Sequence, residues 1–166
     1  EPEFVSAAPL CLSYLCLMES DSEVWLHCIS QLLLNVCQEN IEESKKPLQL
    51  ASLTAISYII EQMANYIDQN LASNVLQAVS IGVVSNDAEM KNVASLALYN
   101  VLDCIDESNL ESKDYRDEML KLIIQLKNQN DDQNILTTVY GCLVKVADLY
   151  YRYMGEYIEG FYNVIV

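Results

Sequence analysis

The chain has 166 residues and a formal net charge of −15, from 24 acidic and 9 basic residues. A surface this acidic repels DNA, RNA and anionic membranes, so it argues against nucleic-acid binding and favours basic partners. The hydrophobic fraction is 52%, with only four glycines and three prolines, which predicts long helices around a substantial core.

Eight helical segments are predicted along the chain, separated by short polar stretches such as "ESDSE", "SNDAE" and "NQNDD". They lie near 4–18, 22–38, 46–64, 70–85, 88–104, 112–128, 132–152 and 155–166. Candidate N-caps are Ser22, Ser112 and either Asp131 or Asp132, and Pro47 suits a first helical turn. No apolar stretch reaches the roughly 18 residues that a membrane span requires, so no membrane insertion is expected.

Alternate helices share a pattern in which a small residue precedes a large aliphatic one, with another aliphatic four positions after the small residue. The small residues recur every 42 to 45 positions, at Cys11, Ala55, Ala97 and Cys142. Residues i and i+4 share one helix face, so the small residues are predicted to be packed inward against neighbouring helices. Such units cannot bury their apolar faces alone, which predicts that they stack side by side.

The period predicts an all-α fold, an α-α superhelix built from about eight antiparallel helices in HEAT repeats. Armadillo repeats have a similar period, but they normally carry a glycine between their first two helices, and few glycines stand at repeating positions here. We expect a single array over 1–166 that is a fragment of a longer solenoid. The last helix of one repeat lies at 4–18, full repeats at 22–64, 70–104 and 112–152, and the first helix of another at 155–166.

No constellation for catalysis is present. The six cysteines include no CxxC pair, and His27 is the one imidazole, so free thiols are expected rather than a metal site. The chain contains no GxSxG, P-loop or dinucleotide motif. We therefore expect no enzyme, no catalytic residues, no metal and no cofactor.

The segment "CLVKVADLYYRYMGEYIEGFYNVI" (residues 142–165) resembles the importin-beta (karyopherin-beta) family. The resemblance continues through "PLQLASLTAISYIIEQM", "SNVLQAVSIGVVSND" and "DEMLKLIIQL", and it places the chain at HEAT repeats 3 to 7 of that family. It implies a nuclear import receptor that shuttles between cytoplasm and nucleus through the nuclear pore. The implied partners are Phe-Gly nucleoporins, Ran-GTP, and an importin-alpha adaptor or basic cargo.

The resemblance also implies a Phe-Gly binding pocket between two helices. Its residues would be Leu76, Gln77 and Ser80 on one helix and Arg116, Met119 and Leu120 on the other. The family usually has an aliphatic residue in place of Ser80, a phenylalanine in place of Met119 and an acid in place of Arg116. A second interpretation, compatible with the first, is that Leu76 and Leu120 pack the two helices together.

Other partners are expected to bind this segment incompletely. It holds only part of the Ran-GTP surface that the family uses, so Ran binding would be weak, and the groove for adaptor or basic cargo lies mostly outside it. A HEAT scaffold that assembles other proteins, as a phosphatase scaffold does, is the alternative function.

The tyrosines near the C-terminal end allow three interpretations. Helical phase places Tyr150, Tyr153 and Tyr157 close to one face and Tyr151 elsewhere. We expect them to pack at the turn between two helices, with each hydroxyl reaching polar surface. Direct contact with a partner and stacking of nucleic-acid bases are the alternatives, and the acidic charge disfavours base stacking.

Overall fold

The computed structural model describes residues 2–38, 42–105, 108–129 and 132–165, and the regular structure in these ranges is helical. Eight α-helices are described: α1 (Pro2–Met18), α2 (Val24–Val36), α3 (Lys46–Met63), α4 (Gln69–Val83), α5 (Ala88–Val101), α6 (Lys113–Asn128), α7 (Gln133–Leu149) and α8 (Met154–Ile165). The helix ends within these ranges lie no more than three residues from the predicted ones. No described helix is both long and apolar enough to cross a membrane. The all-α prediction is confirmed.

The helices form two layers of a HEAT solenoid. In one layer α1, α3, α5 and α7 pack in that order, and in the other α2, α4, α6 and α8 do so. Short 3-10 turns follow α3, α5 and α7, at Ala64–Tyr66, Leu102–Cys104 and Tyr151–Tyr153. These turns account for the predicted helix ends at 104 and 152, which run three residues past α5 and α7.

Three of the four small residues of the repeat are packed inward. Ala55, Ala97 and Cys142 are buried in α3, α5 and α7, as predicted. The prediction for Cys11 is wrong, because its side chain is exposed on α1. Among the described helices, α3, α5 and α7 each pack on the preceding helix of this layer, whereas α1 has only the following helix α3, so the opposite face of α1 is uncovered.

Polar side chains tie successive helices of the first layer together. Gln62 Nε2 of α3 donates to Ser13 Oγ of α1 at 3.1 Å, and Asn100 Nδ2 of α5 donates to the Ser57 carbonyl at 3.1 Å. Lys145 Nζ of α7 donates to the Tyr99 carbonyl at 2.9 Å. Buried polar groups are costly when unpaired, so these bonds favour one register between neighbouring helices.

Side-chain oxygens of Asp or Ser cap α4, α5, α6 and α7. Asp132 accepts hydrogen bonds from two backbone amides at the start of α7, and Ser112 accepts one from Tyr115 N, as predicted. The predicted cap Ser22 lies one residue too early, since the N-cap of α2 is Glu23 and Ser22 Oγ accepts from Val24 N at 3.3 Å. Two caps were not predicted, Asp68 for α4 and Asp87 for α5. The candidate Asp131 and the predicted helix end at Val166 lie outside the described residues.

All six cysteines are free thiols. Burial raises the pKa of Cys142 to about 12 and that of Cys104 to about 11. Burial, with a contribution from the neighbouring Cys28, raises the pKa of Cys16 to about 12. Thiols with such pKa values stay neutral near pH 7 and behave as small apolar side chains.

Candidate functional site

A groove of about 340 Å³ lies between α4 and α6 in the second layer, and we call it the α4–α6 groove. Four of the six predicted pocket residues line it: Leu76, Gln77, Ser80 and Met119. The remaining lining residues are Ser73, Tyr115, Glu118 and Leu122. The structure therefore brings the predicted α4 residues together with one of the three predicted α6 residues.

The floor of the groove is apolar and its rim is polar. Leu76, Met119 and Leu122 are buried, whereas Ser73 and Glu118 are exposed. Glu118 is the one formally charged residue of the lining. A shallow apolar floor under an amide and hydroxyl rim can seat an uncharged ring and hydrogen-bond to the peptide that carries it.

The helix period explains which residues face the groove. On α4, Ser73, Leu76, Gln77 and Ser80 recur at three- and four-residue steps, which places them on one stripe. Tyr115, Glu118, Met119 and Leu122 form the matching stripe on α6. The cap of α4 fixes where the first stripe begins, because Asp68 Oδ1 accepts from Leu71 N at 2.8 Å.

Ser80 introduces little polarity into the wall of the groove. Its hydroxyl donates to the Gln77 carbonyl of its own helix at 2.7 Å, so the donor is already paired. The side chain is half-buried. At this position a ligand therefore contacts a small side chain whose hydroxyl proton is already hydrogen-bonded.

Arg116 and Leu120 face away from the α4–α6 groove. Both are buried on the side of α6 that meets α8. A Cβ built on Gly160 of α8 would lie 3.1 Å from Leu120 Cδ2, so Leu120 and α8 are in close contact. Leu120 thus packs helices together, as the second interpretation has it, but it pairs α6 with α8 rather than with α4.

Arg116 is the centre of a buried polar cluster at the junction of α6, α7 and α8. Its guanidinium lies 3.9 Å from the centre of the Tyr153 ring, and its Nε donates to Tyr157 Oη at 3.2 Å. It also donates to the Leu110 carbonyl, and it lies 3.5 Å from a carboxylate oxygen of Glu156. A guanidinium satisfied on several sides is a structural group, so little of it is left for a ligand.

The tyrosines pack around this cluster. Tyr150 and Tyr157 are buried with ring centroids 5.2 Å apart, whereas Tyr151 is 82% exposed. Tyr150 Oη donates to the Arg116 carbonyl at 2.9 Å, and Tyr157 Oη donates to Asp117 Oδ1 at 2.7 Å. Packing at the turn is confirmed, but the Tyr150 hydroxyl bonds to buried backbone rather than to polar surface. Burial raises the pKa of Tyr150 far above its usual range, so it stays a phenol.

Sequence reasoning missed four residues of the groove: Ser73, Tyr115, Glu118 and Leu122. The available signal was the helix period itself. Extending the Leu76–Ser80 stripe by one turn reaches Ser73, and a stripe through Met119 at three- and four-residue steps reaches Tyr115 and Leu122. The three-residue step from Met119 also reaches Arg116, so the period alone does not decide which side of Met119 faces the groove; the contacts of Arg116 and Leu120 with α8 do.

Two curated proteins are similar to this chain. Importin subunit beta-1 of Saccharomyces cerevisiae is 27% identical over 164 residues, which cover 96% of this chain and 18% of that protein. Importin subunit beta-1 of Schizosaccharomyces pombe is 30% identical over 120 residues, which cover 71% of this chain and 14% of that protein. The chain thus matches less than a fifth of the length of either relative. No protein-family model matches it.

Proposed function

This chain belongs to the importin-beta family, and on that premise we propose that it is a segment of a nuclear import receptor whose α4–α6 groove binds phenylalanine side chains of Phe-Gly nucleoporins. The observation that carries the proposal is the groove itself. Its floor is formed by the buried side chains of Leu76, Met119 and Leu122 between two helices, and Leu76 and Met119 are residues that the family resemblance singles out.

The size of the groove fits weak, exchangeable binding. A fully buried phenylalanine side chain contributes about 1.5–3 kcal/mol, which alone corresponds to dissociation constants in the millimolar range or above. A receptor that must cross a pore needs contacts that break quickly, and several such contacts on one flexible chain raise the overall affinity. The revised binding set is Ser73, Leu76, Gln77, Ser80, Tyr115, Glu118, Met119 and Leu122.

We propose that the other partners of the receptor contact this segment less extensively than Phe-Gly nucleoporins do. A net charge of −15 suits a basic cargo or an importin-alpha adaptor, and we place most of that surface outside this segment. Ran-GTP would contact it weakly. The receptor would then act by transport rather than catalysis, in the cytoplasm, the nucleus and the nuclear pore.

A pair of substitutions at Ser80 tests the groove in opposite directions. Ser80→Ile restores an aliphatic wall, and the added contact of about 1 kcal/mol should tighten a single-Phe peptide about fivefold. Ser80→Glu places a carboxylate where the ring sits and should weaken that peptide at least tenfold, because the carboxylate would lose water. The measurement is a titration of the 166-residue chain followed by NMR, with a Phe→Ser peptide as the negative control.

Thr137→Glu is the matched control protein. Thr137 is exposed on α7 in the other layer, and its hydroxyl donates to the Gln133 carbonyl of its own helix at 2.7 Å, as that of Ser80 does to Gln77. It should bind the peptide like the parent chain. Equal affinities for Ser80→Ile, Ser80→Glu and the parent, with the fold intact, would refute the groove as the binding site. A folded parent chain that does not bind the peptide would favour the scaffold function.

A further inference from the structure

Two cysteines meet where α1 packs against α2. Cys16 is 4% exposed in the last turn of α1, and Cys28 is half-buried in the second turn of α2. A hydrogen bond joins their thiols, and Cys16 is the donor because the bond favours its protonated form. We propose that this Cys16–Cys28 pair is an oxidation site, at which a peroxide converts the two thiols to a reversible disulfide between α1 and α2.

The helix hairpin itself brings the two thiols together. α1 ends at Met18 and α2 begins at Val24, and the two helices pack against each other across this short turn. Cys16 lies two residues before the end of α1, and Cys28 lies four residues after the start of α2. Positions at similar distances from the turn of a helix hairpin lie opposite each other. Cys28 also packs against the core cluster that contains Cys16, so the disulfide would join groups that the fold already places in contact.

The two cysteines differ in their access to solvent, which assigns the order of reaction. Half-buried Cys28 can meet a small oxidant, whereas Cys16 is enclosed in the core. Hydrogen peroxide transfers one oxygen atom to the Cys28 sulfur, which gives a sulfenic acid and water. The Cys16 sulfur then attacks the Cys28 sulfur, the S–O bond breaks, and the hydroxide leaves with the Cys16 proton as water. The two thiols give up two electrons in total, and a thiol reductant reverses the change.

Proximity offsets the low reactivity of a protonated thiol. Burial raises the pKa of Cys16, so little thiolate is present near neutral pH. Because Cys16 is held against Cys28, however, it reacts as an intramolecular partner at a high effective concentration. Burial also raises the pKa values of Cys104 and Cys142, but no second thiol is among the described groups that act on them. The pair is therefore the place where we expect a disulfide.

The disulfide would connect two repeats. In the HEAT assignment α1 is the last helix of one repeat and α2 is the first helix of the next, so the bond would span the joint between them. A cross-link restricts the opened chain, so the amide hydrogens of α1 should exchange about tenfold or more slowly after oxidation. The proposed compartments, cytoplasm and nucleus, keep thiols reduced, so this joint would stiffen only under oxidising conditions.

Fragment mapping identifies the disulfide. A Cys11→Ser/Cys37→Ser chain keeps four thiols, and Glu-C protease cleaves it at the glutamates of the turn between α1 and α2. The folded chain is treated with hydrogen peroxide and then denatured in N-ethylmaleimide. Mass spectrometry should find two alkylated cysteines and a disulfide between the Cys16 and Cys28 fragments, and dithiothreitol should restore four thiols. The fluorescence of Trp25, three residues before Cys28, should fall on oxidation because a disulfide quenches a nearby indole.

Two variants in this background serve as controls. Cys16→Ala removes the second thiol, so Cys28 should stop at the sulfenic acid, which dimedone traps, and no fragments should be linked. Cys104→Ala removes another half-buried thiol and is the matched control. It should form the disulfide between Cys16 and Cys28 as the parent does.

Two results would overturn the inference. If the folded chain keeps all four thiols at a peroxide concentration that oxidises free glutathione, the pair is an inert part of the core. If Cys28 is oxidised while Cys16 remains a thiol, or if the disulfide links other cysteines, the pair is not a disulfide site. The inference does not rest on the proposed function, so neither result changes the case for the α4–α6 groove.

Discussion

Replacing Tyr150 with alanine is expected to lower the free energy of unfolding by about 3–5 kcal/mol. The ring is fully buried, packs against Tyr157 and donates its hydroxyl to the Arg116 carbonyl at 2.9 Å. Its removal leaves a cavity where α6, α7 and α8 meet. Urea unfolding followed by far-UV circular dichroism measures the loss, and the same sample reports Trp25 fluorescence from α2. Solenoid units contact only their neighbours, so the loss should be largest near α6, α7 and α8. The dichroism transition should therefore begin at a lower urea concentration than the transition in Trp25 fluorescence.

Two further tyrosine variants separate the contribution of the Tyr150 ring to stability from that of its hydroxyl and from the effect of an exposed tyrosine. Tyr150→Phe keeps the ring and removes only the hydroxyl, so it should cost about 1 kcal/mol through loss of the hydrogen bond to the Arg116 carbonyl. Tyr151→Ala, at an exposed neighbour, should change stability by less than about 0.5 kcal/mol. If Tyr150→Ala proved as mild as Tyr151→Ala, the tyrosines would not be packing residues, and their role as a partner surface would have to be reconsidered.

Gly82→Ala is expected to destabilise the chain by about 2 kcal/mol, although alanine is the better helix former. A Cβ at Gly82 would lie 2.7 Å from Ala94 Cβ and 2.9 Å from Leu53 Cδ2. Ala94 has no rotamer that yields, so α4 must move away from α5. The glycine thus permits α4 to approach α3 and α5 of the other layer closely. Thermal and urea unfolding measure the change.

Gly155→Ala is the matched control for this substitution. Nothing lies within 4 Å of a Cβ built at Gly155 in the first turn of α8. The same chemical change should therefore stabilise the chain by about 0.5 kcal/mol through helix propensity. Opposite signs for the two variants are the expected result, and a stabilising Gly82→Ala would show that α4 and α5 are less closely packed than described.

Much of the fold was predictable because each helix carries its own local signals. Polar breaks and apolar periodicity located all eight helices, and the recurring small residue located the buried positions of Ala55, Ala97 and Cys142. Cys11 carries the same local signal but is exposed, because burial at that position depends on a neighbouring helix and not on α1 itself. Local pattern predicts which face can be buried, and tertiary packing decides whether it is.

The groove was predictable in position but only partly in its residues. Alignment to a family fixes places along the chain, and it identified Leu76, Gln77, Ser80 and Met119. It did not fix the rotation of α6, which turns Arg116 and its carbonyl toward Tyr153, Tyr157 and Tyr150, all more than thirty residues later.

The most direct test of the proposed groove is an intermolecular nuclear Overhauser measurement with methyl-labelled methionine and an unlabelled single-Phe peptide. Met119 lies in the floor of the α4–α6 groove, whereas Met63 and Met90 are buried elsewhere and Met18 is exposed. We expect cross-peaks from the phenylalanine ring to the Met119 methyl and none to the methyls of the other four methionines, Met18, Met63, Met90 and Met154. A peptide that binds the chain but gives its ring contacts to Met18, or to no methionine while Met119 stays unshifted, would contradict the groove as the binding site.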